Sequence, residues 1–191
     1  VRDYPIKSRI VIAHVRKANR GKVALENTHP FTRELWGRAW TFAHNGQLKG
    51  VKKMALGRFA PIGTTDSEHA FCVILGRLAA KWGDYPSAAA LDYEVRKLFD
   101  EMRGLGVFNA LLTDGRSLYA SCGKRLCYLT RRAPFGKASL LDEDMQVDFA
   151  AETTSNDVVT IIATRPLTKD EAWTIIEPGT NLILREGEVK T

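Results

Sequence analysis

The sequence predicts an α+β domain of mainly antiparallel sheets packed under helices, and three observations carry that prediction. Strand-like runs come first, two amphipathic helical segments follow, and further strand-like runs close the chain. The later strands are joined by hairpin signals such as Asp114-Gly115. No βαβ unit repeats, which argues against a doubly wound parallel sheet. A length of 191 residues suits one domain with a sizeable core, so residues 1–191 are read as a single unit.

Taken in order, residues 9–15 and 39–44 read as strands, and the polar, Gly- and Pro-containing stretch between them reads as a loop. Thr65-Asp66-Ser67-Glu68 matches a capping box, and Phe71, Ile74, Leu75 and Leu78 follow at helical spacing, which predicts a helix over about 66–81. A second helix is expected over about 87–103, with Leu91, Val95, Leu98, Phe99 and Met102 on its buried face and Gly104 as its stop. Residues 107–113 and 117–121 then form a hairpin about Asp114-Gly115, and residues 126–130 and 158–164 read as strands. A short helix is expected over 168–175, capped by Thr168 with Glu171, and a last strand over 181–185 after Pro178-Gly179. The acidic stretch from Asp142 to Asp148 reads as an exposed connection.

Composition narrows the function classes. With 45% hydrophobic and 26% charged residues, the chain has the balance of a folded globular domain and not of a disordered one. A formal charge of +6 would suit nucleic acid, but the basic residues are scattered and no aromatic-interleaved stripe offers a stacking platform. No apolar run is long enough to span a bilayer, and no signal-peptide pattern opens the chain. Cys72, Cys122 and Cys127 form no CxxC pair and read as core thiols, which suits a reduced cytoplasmic setting. His14, His29 and His44 match no metal-ligand spacing and read as hydrogen-bonded structural residues; neither metal nor cofactor is implied. Trp36 and Trp40 read as core or loop anchors.

Four segments carry chemistry: Ala13-His14-Val15-Arg16, Asn27-Thr28-His29-Pro30-Phe31, Ala43-His44-Asn45-Gly46 and Thr65-Asp66-Ser67-Glu68. Together they supply a guanidinium, an amide beside a glycine, and a carboxylate. Those groups can hold a free α-amino acid while stabilising an oxyanion made from its side-chain carbonyl. Taken singly, each has a plainer reading: Arg16 a surface cation, Asp66 an acid complementing a helix dipole, Asn45-Gly46 a turn. No attacking group accompanies them, so residues preceding Val1 are expected to belong to the working protein.

In this order, and with Asn19-Arg20-Gly21 after Arg16, these segments resemble the class II glutamine amidotransferases, which are N-terminal-nucleophile enzymes with a four-layer αββα sandwich. Glu26-Asn27-Thr28-His29-Pro30-Phe31, Arg33-Glu34-Leu35-Trp36-Gly37 and Arg131-Arg132-Ala133-Pro134-Phe135-Gly136 resemble a bacterial stand-alone branch of that class. The resemblance implies that Arg16 and Asn19 bind the substrate α-carboxylate, that Asp66 binds its α-ammonium, and that Asn45 and Gly46 form the oxyanion hole. It also implies a nucleophilic cysteine at the processed N-terminus. Val1 stands first here, so the sandwich is expected to be N-terminally incomplete and this chain alone inactive. The implied reaction is hydrolysis of L-glutamine through a cysteine thioester, releasing ammonia. Other γ-glutamyl amides or peptides are the alternative substrates, and a non-catalytic metabolite-binding module is the reading if the protein begins at Val1. An ammonia-accepting partner protein and a homodimer are both compatible with the class.

Overall fold

The computed structural model describes residues 8–15, 24–141, 146–148 and 154–190. Its centre is a six-stranded sheet in the order β1-β2-β3-β4-β10-β11, every neighbouring pair antiparallel. The strands are β1 (Phe31–Leu35), β2 (Arg38–Leu48), β3 (Gly106–Thr113), β4 (Leu118–Ser121), β10 (Asn181–Arg185) and β11 (Glu188–Lys190). A second sheet has the order β8-β5-β9, from β5 (Leu126–Arg132), β8 (Val158–Ala163) and β9 (Thr174–Ile176). A small ladder joins β6 (Lys137–Ser139) to β7 (Gln146–Asp148).

Two helices, α1 (Asp66–Lys81) and α2 (Ala88–Gly104), lie within one residue of their predicted spans at either end. Caps account for that agreement: Thr65 accepts a hydrogen bond from Glu68 N, and Ser87 accepts one from Ala90 N. Both helices cover one face of the large sheet. Period-2 alternation puts Phe42 of β2, Phe108 and Leu112 of β3, Tyr119 of β4 and Ile183 of β10 on that face, where they pack with Phe71, Ile74, Leu75, Leu91, Val95 and Phe99. The opposite face carries Ala39, Thr41, Asn45 and Asn109. Residues 8–10 lie over part of it, and Leu182 of β10 packs there against Cys122, Leu126 and Ile176 under the second sheet. The α+β class with antiparallel sheets is therefore as the sequence predicts, stacked helix, sheet, sheet. The second helical layer of the expected αββα sandwich is not found among the described residues.

Four local expectations are corrected. The stretch read as a loop before β2 contains β1, joined to β2 by the two-residue turn Trp36-Gly37 with φ of 57° and 71°. That turn type needs two positive φ values, and tertiary contacts hold the tryptophan in it: Trp36 Nε1 donates to Trp82 O at 3.2 Å and its ring packs edge-on against Trp40 and Tyr85. The expected helix over 168–175 does not form. Thr168 bridges to Leu140, its hydroxyl donates to Glu171 Oε2 at 2.7 Å, and residues 174–176 pair with β5. Glu171 holds the Arg131 guanidinium with both oxygens, at 2.7 and 2.6 Å, so the pair that resembled a cap is committed across the fold. Residues 9–15 form no strand among the described residues, although Ile10, Ile12 and His14 are half-buried and Val11, Ala13 and Val15 exposed. The acidic connection is in part the strand β7, with residues 142–145 outside the described set.

The core puts Phe42 beneath α1 with no exposure, its ring stacked on Phe71 at 5.3 Å and beside Phe108 at 6.2 Å. Replacing Phe42 by Ala should therefore cost about 3–5 kcal/mol of stability. Urea unfolding checks this as a lower midpoint with unchanged slope.

Candidate active site

Three of the candidate residues, Asn45, Gly46 and Asp66, lie at the far end of β2. Asn45 and Gly46 lie inside this strand, opposite Asn109 and Phe108 of β3, so the turn reading is excluded. The Val107 carbonyl and the neighbouring His44 ring explain the glycine. His44 Nε2 lies 3.0 Å from Val107 O and its Nδ1 lies 2.8 Å from Ser67 Oγ. A carbonyl only accepts, so Nε2 carries the proton and Nδ1 accepts from the Ser67 hydroxyl. The ring thus ties β2 to β3 and to α1, and it occupies the space beside residue 46. A Cβ on Gly46 would stand 1.8 Å from Val107 O and 2.8 Å from His44 Nε2, so no side chain fits.

Backbone alternation sets the direction of the Gly46 N–H. Leu48 N donates to Asp66 Oδ2 at 2.8 Å, whereas Lys49 N donates to Leu105 O at 2.9 Å on the β3 side. Amides of a strand alternate in direction, so Gly46 N–H points the same way as that of Leu48, away from β3. On that side β1 ends at Phe31 opposite Phe42, and among the described residues no strand pairs with β2 beyond it. The Asn45 side chain is exposed on the face away from the helices.

Asp66 is the first residue of α1, half-buried. Oδ2 accepts from Leu48 N and Oδ1 from Ser67 N at 3.0 Å, which uses two of about four lone-pair positions and leaves room for an ammonium. The dipole role expected of an acid here coexists with the tie to β2. The loop preceding α1 is set by Glu68, whose buried carboxylate accepts from Arg33 at 2.5 Å, Ile62 N at 2.9 Å and Gly63 N at 2.7 Å. Glu68 therefore braces the loop and does not return to Thr65 N as a capping box would. Asn27 adds to the brace, its Oδ1 accepting from Thr64 N at 2.8 Å.

Arg16 and Asn19 lie outside the described residues. The chain leading to them comes near the site: the His14 ring lies 4.4 Å from that of His29, and both His14 and Asp66 act electrostatically on His44. Cys72, Cys122 and Cys127 are buried, as expected of core thiols. Burial raises all three thiol pKa values, that of Cys72 to about 11, so none is poised as a thiolate.

Sequence reading missed Ser67, Glu68 as a brace, and Asn109. Asn109 sits at 8% exposure, its Nδ2 donating to Asn45 O at 3.0 Å. Its Oδ1 accepts from three successive amides, Gly123 N, Lys124 N and Arg125 N, at 3.1, 3.0 and 3.1 Å. The signal was an amide inside the apolar run Val107-Phe108-Asn109-Ala110-Leu111.

The family model of the class-II glutamine amidotransferases matches residues 1–191, and the chain belongs to that family. It is 58% identical over 180 residues to YafJ of Escherichia coli K12, which is named a glutamine amidotransferase by inference; the match covers 94% of this chain and 71% of YafJ. It aligns with the 2.0 Å crystal structure of a predicted glutamine amidotransferase from Pseudomonas aeruginosa at 50% identity and TM-score 0.83, over 93% of this chain and 70% of that one. The glutamine phosphoribosylpyrophosphate amidotransferase of Bacillus subtilis, 17% identical, aligns at TM-score 0.52 over 93% of this chain and 33% of its own, a likeness of fold alone. These neighbours have the N-terminal-nucleophile fold. No helix among the described residues is long and apolar enough to cross a membrane.

Burial holds the His44 pKa below its ordinary 6.5, against the backbone hydrogen bond to Val107 and the charge of Asp66, which raise it. The unfolded chain then binds this proton more readily than the folded one. Stability is present above the unfolded pKa and is lost as pH falls through about 6.5 toward the folded value. Unfolding free energy measured from pH 7.5 to 5 should decline more steeply in the parent than in His44→Gln. Equal slopes would mean that His44 charges freely in the fold.

Proposed function

We propose that the far end of β2 binds a γ-glutamyl amide, with L-glutamine as the simplest case, and stabilises the oxyanion of its hydrolysis. The observation that carries this reading is the position of Gly46 in β2, past the last β1 pair among the described residues, beside the exposed Asn45 and two residues from the backbone amide that anchors Asp66. In this reading Asp66 accepts from the substrate α-ammonium, and Arg16 with Asn19 holds the α-carboxylate, the bidentate fork of arginine matching two oxygens. Asn45 and Gly46 donate to the side-chain carbonyl oxygen as it becomes negative.

The attacking thiolate belongs, on the family resemblance, to a cysteine outside residues 1–191 whose own α-amino group acts as base. That fits three internal thiols all buried and raised in pKa. Attack forms the C–S bond and an oxyanion; its collapse breaks the C–N bond, and the leaving nitrogen takes the proton as ammonia or an amine. Water then adds to the thioester, and glutamate and thiol are released. Ammonia passed to an acceptor protein is one use of this chemistry.

Kinetics of the full-length gene product separate the roles. Asn45→Ala should lower kcat by about 10²–10³ with a smaller change in KM, because the lost donor acts on charge developed in the transition state. Turnover within a few-fold of the parent would remove Asn45 from the reaction. Asp66→Asn and Arg16→Lys should instead depress kcat/KM at low glutamine. An α-amino-acid diazoketone should label the cysteine no faster than a simple alkylating reagent in either variant. Undiminished selective labelling would show that neither residue recognises the α-amino acid.

A further inference from the structure

Asn109 of β3 stands directly opposite Asn45 and is buried. Its partners settle which way its carboxamide faces. One end meets three successive amide donors, Gly123 N, Lys124 N and Arg125 N, and only an oxygen can accept from them. The NH₂ end is therefore the one that meets Asn45 O, at 3.0 Å. The support behind it is firm, because Gly123 lies so close to β3 that a Cβ there would stand 2.5 Å from Phe108 N. Asn109 thus presents a donor to Asn45 O from a side chain fixed at its other end.

Asn45 O belongs to the same peptide group as the Gly46 N–H. That group is planar and trans, so its carbonyl and its N–H point in opposite directions. A donor that meets the carbonyl from the β3 side therefore bears on the direction of the N–H on the other side, where the oxyanion would form. Two effects follow. Glycine resists rotation of the peptide plane before it less than any other residue, and the bond from Asn109 Nδ2 opposes that rotation. A hydrogen bond to the carbonyl also polarises the peptide and strengthens its N–H as a donor. We propose that Asn109 is a positioning residue of the oxyanion site: its Nδ2 orients and polarises the Asn45–Gly46 peptide, while its Oδ1 holds residues 123–125. The inference rests on the Asn45 and Gly46 reading and deepens it by naming the group that aims the backbone donor.

Glutamine hydrolysis by the full-length gene product tests this in two variants, with kcat expressed per cysteine titrated by a simple alkylating reagent so that unfolded protein does not count. Asn109→Asp keeps an oxygen for the three amides, which also hold its carboxylate ionised, and loses the donor. Asn109→Ala loses donor and acceptor together and adds no charge. The change the two share is loss of the donor to Asn45 O. Both should lower kcat by about tenfold or more with KM within about threefold of the parent, since the peptide acts on charge that develops in the transition state. An aspartate variant at the parent's kcat would assign Asn109 to the loop alone, and an alanine variant at the parent's kcat would remove it from the reaction. A loss confined to KM would place its effect on ground-state binding. Any of these, with Asn45→Ala impaired, would overturn the positioning role while leaving the oxyanion reading standing. Turnover near the parent's in Asn45→Ala as well would remove both.

Discussion

The arrangement depends first on the buried imidazole of His44. Its two nitrogens satisfy Val107 O on β3 and Ser67 Oγ on α1, so one side chain sets the position of β2 against both neighbours at the point where the candidate donors lie. A half-satisfied imidazole at this depth would carry a penalty on the order of 1–3 kcal/mol for the orphaned nitrogen, more than the net worth of an ordinary hydrogen bond. The pairing therefore specifies geometry more than it adds stability. The same Val107 carbonyl bears on the next residue but one. A Cβ at position 46 would stand 1.8 Å from its oxygen, with the His44 ring at 2.8 Å, and a glycine backbone is what remains.

A second constraint acts on the other side of the site. The start of α1 must meet the end of β2, and two carboxylates hold that junction. Asp66 clasps Leu48 N, and Glu68, with Asn27, ties down the loop over which the chain reaches the helix. Glu68 is almost fully buried, and its charge is tolerable because Arg33 and two backbone amides surround it. Partial desolvation of such a pair makes it weak as a source of net stability and strict as a locator. Asp66 is held by two amides and keeps free lone pairs, which is the condition for a group that both builds the fold and meets a ligand. The same economy recurs at Asn109, whose carboxamide joins Asn45 to residues 123–125.

Much of this was legible in the sequence wherever the signal was local. Both helices declared themselves through caps and spacing, and the residues proposed for oxyanion and ammonium contacts stood in short recognisable strings. What was illegible depended on partners distant in sequence. β1 was hidden because Trp36-Gly37 is an unusual hairpin turn, acceptable only because Trp82, Trp40 and Tyr85 cage the tryptophan. Glu186-Gly187, the analogous turn between the antiparallel β10 and β11, with φ of 53° and 74°, likewise puts a non-glycine residue at positive φ. Thr168 and Glu171 imitated a helix start, but Arg131, forty positions away, claims the glutamate and the β-branched run beyond it completes a sheet. Asn45-Gly46 looked like a turn and is strand, since a turn signal cannot reveal that β3 lies alongside. Arg16 and Asn19 rest on the resemblance, as they lie outside the described residues.

The central claim is that one substrate carbonyl meets Asn45 and Gly46 while its ammonium meets Asp66. A crystal structure of the full-length gene product after reaction with an α-amino-acid diazoketone analogue of glutamine tests it most directly. The account predicts the analogue's carbonyl oxygen about 3 Å from both Asn45 Nδ2 and Gly46 N, with the ammonium against the Asp66 carboxylate. An analogue bound with its ammonium elsewhere, or with its oxygen turned away from the β2 edge, would contradict it.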